Sequence, residues 1–221
     1  MNNIKTFENF NNQDIFKYVK NDDIESIKNY IDSGYDLNIR DNFGYTPLMY
    51  AAFHNRIEAI KLLLNSGADL NKQTIDGDTA LIIAAYTNKY EIVQLLLNAG
   101  ADTNKQDNDG NTALIYASIE NYLEIVELVL NSGADIDKQD NDGYTALIKA
   151  AYNNRKIVEI LLDYGADEFI LNYDNKSFYD LLNTENKEYF IQKYPTSVYN
   201  AISHWYKKPF TEFVKDYNIK N

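Results

Sequence analysis

Glycine returns at a fixed interval along this chain. Gly44, Gly77, Gly110 and Gly143 are 33 residues apart, and so are Gly34, Gly67, Gly100 and Gly133; Gly165 follows one residue early. Threonine keeps the same step at Thr46, Thr79, Thr112 and Thr145. Leucine does so at Leu48, Leu81, Leu114 and Leu147, and alanine at Ala51, Ala84, Ala117 and Ala150. So many positions locked to one period exclude a globule built around a single centre. They predict similar units stacked in a row.

One unit, residues 77–106, can be read physically. Gly77 after Asp76 suits a turn with positive φ. Thr79 is placed to cap a short helix running through Ala80 to Tyr86. The corresponding helix of the preceding unit begins with Pro47, which fits the first helical position. Small alanines allow the neighbouring helix to approach closely. Asn88 stands where the chain reverses, and Asn tolerates the left-handed conformation. Asn55, Asn121 and Asn154 occupy the same place by count. A second helix then runs from about Tyr90 to Asn98. Its Ile92, Val93, Leu95, Leu96 and Leu97 cover too much of the circumference for a surface helix, so it is sandwiched between neighbours. Gly100 stops it as a C′ residue. One unit cannot bury its own apolar faces, and stacking supplies what it lacks.

These residues carry a resemblance. The unit resembles the ankyrin repeat, whose hallmark is Thr-Pro-Leu-His-x-Ala-Ala, a helix and Gly-Ala-Asp. Here the string reads Thr46-Pro47-Leu48-Met49-Tyr50-Ala51-Ala52 and closes at Gly67-Ala68-Asp69. Later units read Thr-Ala-Leu-Ile from Thr79, Thr112 and Thr145, closing at Gly100-Ala101-Asp102, Gly133-Ala134-Asp135 and Gly165-Ala166-Asp167. The resemblance covers most of the chain and implies an all-α solenoid of helix-turn-helix units with hairpin-like loops. There are departures. The usual His is Met49, Ile82, Ile115 or Ile148, and the usual Gly between helices is Asn. The fourth unit is one residue short near Arg155-Lys156, which predicts a tighter turn between its helices.

The frame divides the chain into an N-terminal capping repeat at 1–40 and four full repeats at 41–73, 74–106, 107–139 and 140–171. A degenerate C-terminal cap follows at 172–195, then a helical tail at 196–221. In the first cap, Asp14 to Lys20 reads as a first helix and the segment after Asp23 as a second. Both are more polar than the internal units, as a terminal cap requires. In the last cap, Asn175 replaces the turn glycine and Ser177 the threonine, and Pro195 ends its second helix. In the tail, Val198, Ile202 and Trp205 lie at helical spacing. Phe210, Phe213, Val214 and Tyr217 form a stripe behind Pro209. The tail reads as a lid over the last repeat, or as a helix that docks a partner.

The composition narrows the function classes. With 33 acidic against 21 basic residues, the net charge of −12 makes nucleic acid and anionic membrane poor partners. No cysteine is present, which removes disulfides, thiolate catalysis and thiolate metal sites. The first ten residues hold no apolar stretch that reads as a secretion signal, and no window reads as a membrane span. A cytoplasmic location is the expectation; secretion without an N-terminal signal also fits. Catalysis needs a base, a nucleophile and a place for both. Of the two histidines, His54 falls between helices of the first full repeat and His204 in the tail, too far apart for a metal pair. Asp107-Asn108-Asp109-Gly110 and Asp140-Asn141-Asp142-Gly143 imitate the middle of a calcium loop. However, position twelve would be Tyr116 or Lys149 where a bidentate Glu is required, so these are turns. No enzyme activity, cofactor or metal is expected. Asp36, Asp69, Asp102 and Asp135, with Lys72, Lys105 and Lys138, read as structural ladders, or as an acidic face for a basic partner.

The resemblance also implies where a partner sits. In the family, loop tips and the exposed side of the first helix line a concave groove that holds proteins. The first full repeat then offers Arg40, Asn42, Phe43, Tyr45, Tyr50, Phe53 and His54, and the second Ile75, Asp78, Tyr86 and Thr87. The third offers Asn108, Asn111, Tyr116, Ile119 and Glu120, and the fourth Asn141, Tyr144, Lys149, Tyr152 and Asn153. Phe43, Tyr45, Phe53, Tyr86, Tyr144 and Tyr152 stand out, because large aromatics bury area at little rotamer cost. They either bind a protein segment or pack on one another. The favoured reading is a monomeric protein–protein scaffold. An inhibitor, immunity or host-directed effector protein would use the same surface, and a structural spacer would hold no tight partner.

Overall fold

The computed structural model describes residues 13–152 and 154–219, and among them it contains fourteen helices and no strand. The helices come in pairs. They are α1 (Asp14–Asn21) with α2 (Ile24–Asp32), α3 (Pro47–Phe53) with α4 (Ile57–Asn65), and α5 (Ala80–Tyr86) with α6 (Tyr90–Asn98). Then come α7 (Ala113–Ile119) with α8 (Leu123–Asn131), α9 (Ala146–Ala150) with α10 (Arg155–Asp163), and α11 (Phe178–Leu181) with α12 (Thr184–Lys193). The chain closes on α13 (Pro195–Ile202) and α14 (Phe210–Asp216).

Local chemistry starts and stops these helices where the pattern places them. Thr46, Thr79, Thr112 and Thr145 lie in extended backbone, and each accepts a hydrogen bond from the N3 amide of the helix it caps. Asn55, Asn88 and Asn121 reverse the chain at φ 59°, 57° and 62°. Gly77 has φ +87°, and a Cβ there would come within 2.6 Å of the Asn108 backbone nitrogen, so the turn and the next unit together exclude a side chain.

The first helices form one layer, α1 on α3 on α5 on α7 on α9 on α11, and the second helices α2, α4, α6, α8 and α10 form the other. Six of the seven residues of α5 are buried, from Ala80 to Ala85. In α6, Ile92, Val93 and Leu96 are fully enclosed, while Leu95 and Leu97 remain half-buried. Each pair thus supplies apolar surface that its neighbours cover, and the core runs the length of the stack.

Two hydrogen-bonded ladders register the units. Gln73 Nε2 donates to the carbonyls of Gly77 and Gln106, and Gln106 repeats this towards Gly110 and Gln139. Gln139 continues to Gly143 and Leu171. On the connecting segments, Asn38, Asn71 and Asn104 accept from the amides of Asp69, Asp102 and Asp135 at 2.8–3.0 Å. The repeated aspartates are therefore part of the scaffold. The only ion pair linking them to the repeated lysines among the described residues is Lys72 with Asp69, at 3.5 Å.

Three details differ from the sequence reading. The missing residue of the fourth unit shortens the first helix, not the turn. Helix α9 has 5 residues where α3, α5 and α7 have 7, and residues 151–154 separate it from α10. Asn154 is accordingly not a reversal residue. It occupies the N-cap position of α10 at φ −121°, and its side chain, instead of capping, donates to the carbonyls of Ser118 and Ile119 in the preceding unit. Pro195 both follows α12 and opens α13 at its first position. Helix α13 packs on α11 and α12 with Val198 and Ile202 fully buried, and α14 packs on α13 through Phe213.

Candidate functional site

The loop tips and the first-helix layer make one continuous face. Neighbouring tips are bound together: the Ile75 amide donates to Phe43 O, Asn108 to Asp76 O, and Asn141 to Asp109 O, at 2.9–3.0 Å. The tips are tied down to the helices by a carboxylate nine residues before its partner. Tyr50 donates to Asp41 Oδ2 at 3.1 Å and Tyr116 to Asp107 Oδ2 at 2.6 Å. In the fourth unit Lys149 Nζ takes that role, 2.8 Å from Asp140 Oδ2. The second unit has Thr74 and Ile83 at these places and no such tie.

Two recesses open on this face. The first, about 140 Å³, lies between Phe43, Tyr45, Phe53 and His54, with Asp41 and Tyr50 at its floor. The second, about 260 Å³, is walled by Tyr45, Phe53, Tyr86 and Tyr116, and Asp78 lines it beside Ile82, Ile83 and Thr87. Tyr45 and Phe53 are the shared partition. Rings meet at the edges of both: Tyr45 with Tyr50 at 5.7 Å, Phe53 with His54 at 5.2 Å, and Tyr86 with Tyr116 at 5.3 Å.

The electrostatics of the two recesses differ. Asp41 is saturated: Oδ1 accepts from the Phe43 and Tyr45 amides, and Oδ2 from Tyr50. Asp78 has no side-chain hydrogen bond or ion pair among the described residues. Burial, with the nearby charges of Asp107, Asp76 and Asp109, pushes its carboxyl up to about 6. His54 is shifted the other way, below the usual imidazole range, by burial and by Lys20 and Arg56. The Tyr116 hydroxyl is pushed up by burial and by its bond to Asp107.

A family model described as Ankyrin repeats (3 copies) matches residues 15–107 and residues 99–172. The chain belongs to the ankyrin-repeat family. No curated protein matches the chain. Ankyrin repeats are generally protein–protein interaction modules and typically non-catalytic. Among the described residues no helix is long and apolar enough to cross a membrane, and no three metal-ligating side chains converge.

On this ankyrin scaffold the candidate residues separate into kinds. Phe43, Phe53, Tyr86 and Tyr152 are 47–64% exposed, and Ile75 and Ile119 are also open, so these six present apolar surface to solvent. Tyr45 and Tyr144 are half-buried; the Tyr144 hydroxyl lies 3.5 Å from that of Tyr152, and Lys149 sits 4.2 Å over the Tyr144 ring. Arg40 is committed to the scaffold. Its Nε donates to Gly44 O and its guanidinium to Gln73 O, the place glutamine takes in later repeats. Thr87 closes α5 by donating to Ile83 O, and Glu120 is the exposed C-cap of α7. Asn111 Oδ1 is buried without a partner beneath the third unit's tip. Asn153 lies outside the described residues. The sequence reading named Tyr50 and Tyr116 but not their ties to Asp41 and Asp107, nor the glutamine ladder; the signals are Gln73, Gln106 and Gln139 at one period and the pairs 41/50 and 107/116.

Proposed function

We propose that this chain is a non-catalytic recognition scaffold that holds a partner protein on its tip-and-first-helix face. The observation that carries the reading is the row Phe43, Phe53, Tyr86 and Tyr152. Each is a large ring about half open to solvent, at a position the stack does not need for its own core. Half-exposed aromatics beside recesses are the side chains from which interface hot spots are built. In this reading the chain acts as a cytoplasmic monomer, with capping units at 1–40 and 172–195 protecting four full repeats and the tail 196–221 covering the C-terminal cap. Phe53 meets His54 and Tyr86 meets Tyr116 at recess edges, while Tyr152 pairs with Tyr144 farther along the face, and the exposed sides of these rings are left for a ligand.

The test is affinity capture with wild type beside the triple variant Phe53→Ala, Tyr86→Ala, Tyr152→Ala. All three are exposed, so the variant should keep its helical circular dichroism. A partner retained by wild type and lost by the variant supports the reading. A partner held equally by both rejects this face.

A further inference from the structure

The second recess carries a more specific message about what it accepts. The protein itself shows how this face houses a cation. In the fourth repeat Lys149 Nζ rests 2.8 Å from Asp140 Oδ2 and 4.2 Å from the Tyr144 ring centroid. A carboxylate and a tyrosine face together hold the ammonium. The second repeat has no such cation, and Thr74 stands where Asp140 does; its recess offers instead the Asp78 carboxylate beside the Phe53, Tyr86 and Tyr116 rings. Ile83 stands where Lys149 does, and Asp78 stands where Tyr144 does. Asp78 is half-buried in the recess with no ion pair among the described residues. Asp107, adjacent to it, has both oxygens occupied, by the Asp109 and Asn111 amides and by the Tyr116 hydroxyl. Asp78 therefore lines an aromatic-walled pocket with the Asp107 charge nearby and no compensating cation among the described residues, on a chain of net charge −12.

We propose that this recess binds a lysine or arginine side chain of the partner protein, seated between the Tyr86 and Phe53 rings with its charge on Asp78. The inference rests on the reading of this face as the partner surface and names the chemistry of its occupant. A cation is the one occupant that relieves the Asp78–Asp107 repulsion and uses the aromatic walls; an apolar side chain would bury Asp78 further, and an acidic one would add a third negative charge. The raised Asp78 carboxyl is what such an uncompensated site produces, and a bound cation would bring it down.

The experiment selects a displayed library of random dodecapeptides on the full chain, then measures the selected peptides on variants. Asp78→Asn is the first variant; the third repeat already carries Asn111 at that position, so the fold accepts it. Glu91→Gln, on the exposed side of α6, is the matched loss of one charge. The expected result is a pool enriched in lysine and arginine, with affinity about tenfold weaker on Asp78→Asn and unchanged on Glu91→Gln. Equal weakening by Glu91→Gln would mean diffuse attraction and would overturn the inference. Peptides that lose binding on the aromatic triple variant but ignore Asp78→Asn would overturn it too, while leaving the binding face in place. Peptides indifferent to both, or no selection at all, would remove the inference and the face together.

Discussion

Asp78→Asn should stabilise the folded chain at pH 7.5, and the gain should fade as the solution is acidified. The carboxyl is raised from 3.8 to about 6, chiefly by burial and then by Asp107, Asp76 and Asp109. The groups facing it among the described residues are these three carboxylates and the Tyr45, Tyr86 and Tyr116 hydroxyls, and none is a cation. A shift of two units corresponds to about 3 kcal/mol. The group is only half-buried, so solvent screening reduces this to about 1 kcal/mol. The folded state holds the Asp78 proton more tightly than the unfolded chain does. Its contribution is therefore favourable below about pH 4 and is lost as pH rises through 6. Asparagine carries no charge, so the variant escapes that loss. For a chain of this length, about 1 kcal/mol moves the melting temperature by about 2–4 °C. The assay is thermal or urea unfolding of both proteins from pH 4.5 to 7.5. A difference that is largest at pH 7.5 and closes towards pH 4.5 fits the reasoning. A variant less stable than wild type at pH 7.5, or a gap independent of pH, would refute it, because Asp78 would then have a compensating partner.

Other consequences follow from the same structure. Binding of lysine-containing peptides should weaken as pH falls from 7.5 to 5.5, because a protonated Asp78 attracts no cation; titration by fluorescence anisotropy at the two pH values would show it. Thr112→Ala should cost about 1 kcal/mol in urea unfolding, the value of a lost N-cap, since Thr112 is buried and accepts from the Ile115 amide. Gln106→Leu should cost more, about 2–3 kcal/mol, because it strips the carbonyls of Gly110 and Gln139 of a shared donor; the same unfolding measurement tests it. Leu96→Ala, at a fully enclosed position between helix pairs, should cost about 3 kcal/mol and broaden or split the unfolding transition as the stack loses continuity.

Much of this fold is legible in the chain because its determinants are local. A threonine before the first helix of each full repeat, an asparagine at the reversals of the first three and a glycine at each of their tips act within a few residues, and the 33-residue period repeats the same instructions. What escaped depends on side chains that reach into the next unit. Arg40 looks like a free surface cation, yet its guanidinium spans to Gln73 O in the following repeat. The fourth unit shows a second limit. Counting reveals that one residue is missing but not which element gives it up. Here α9 yields, and α10 keeps its full length with Ile157, Val158 and Leu161 buried in the second layer. The candidate face was visible as variable aromatics. Its charge pattern was not, because the state of Asp78 depends on Ile83 having replaced the tyrosine or lysine of other repeats and on Asp107 arriving from the neighbouring unit.

Docking of a partner on the tips and first helices can be read by amide hydrogen exchange of the chain alone and with a captured partner bound. A partner docked there should add protection in peptides spanning residues 43–54, 75–87 and 108–120. Protection confined instead to the second helices, at residues 57–65, 90–98 and 123–131, would contradict it.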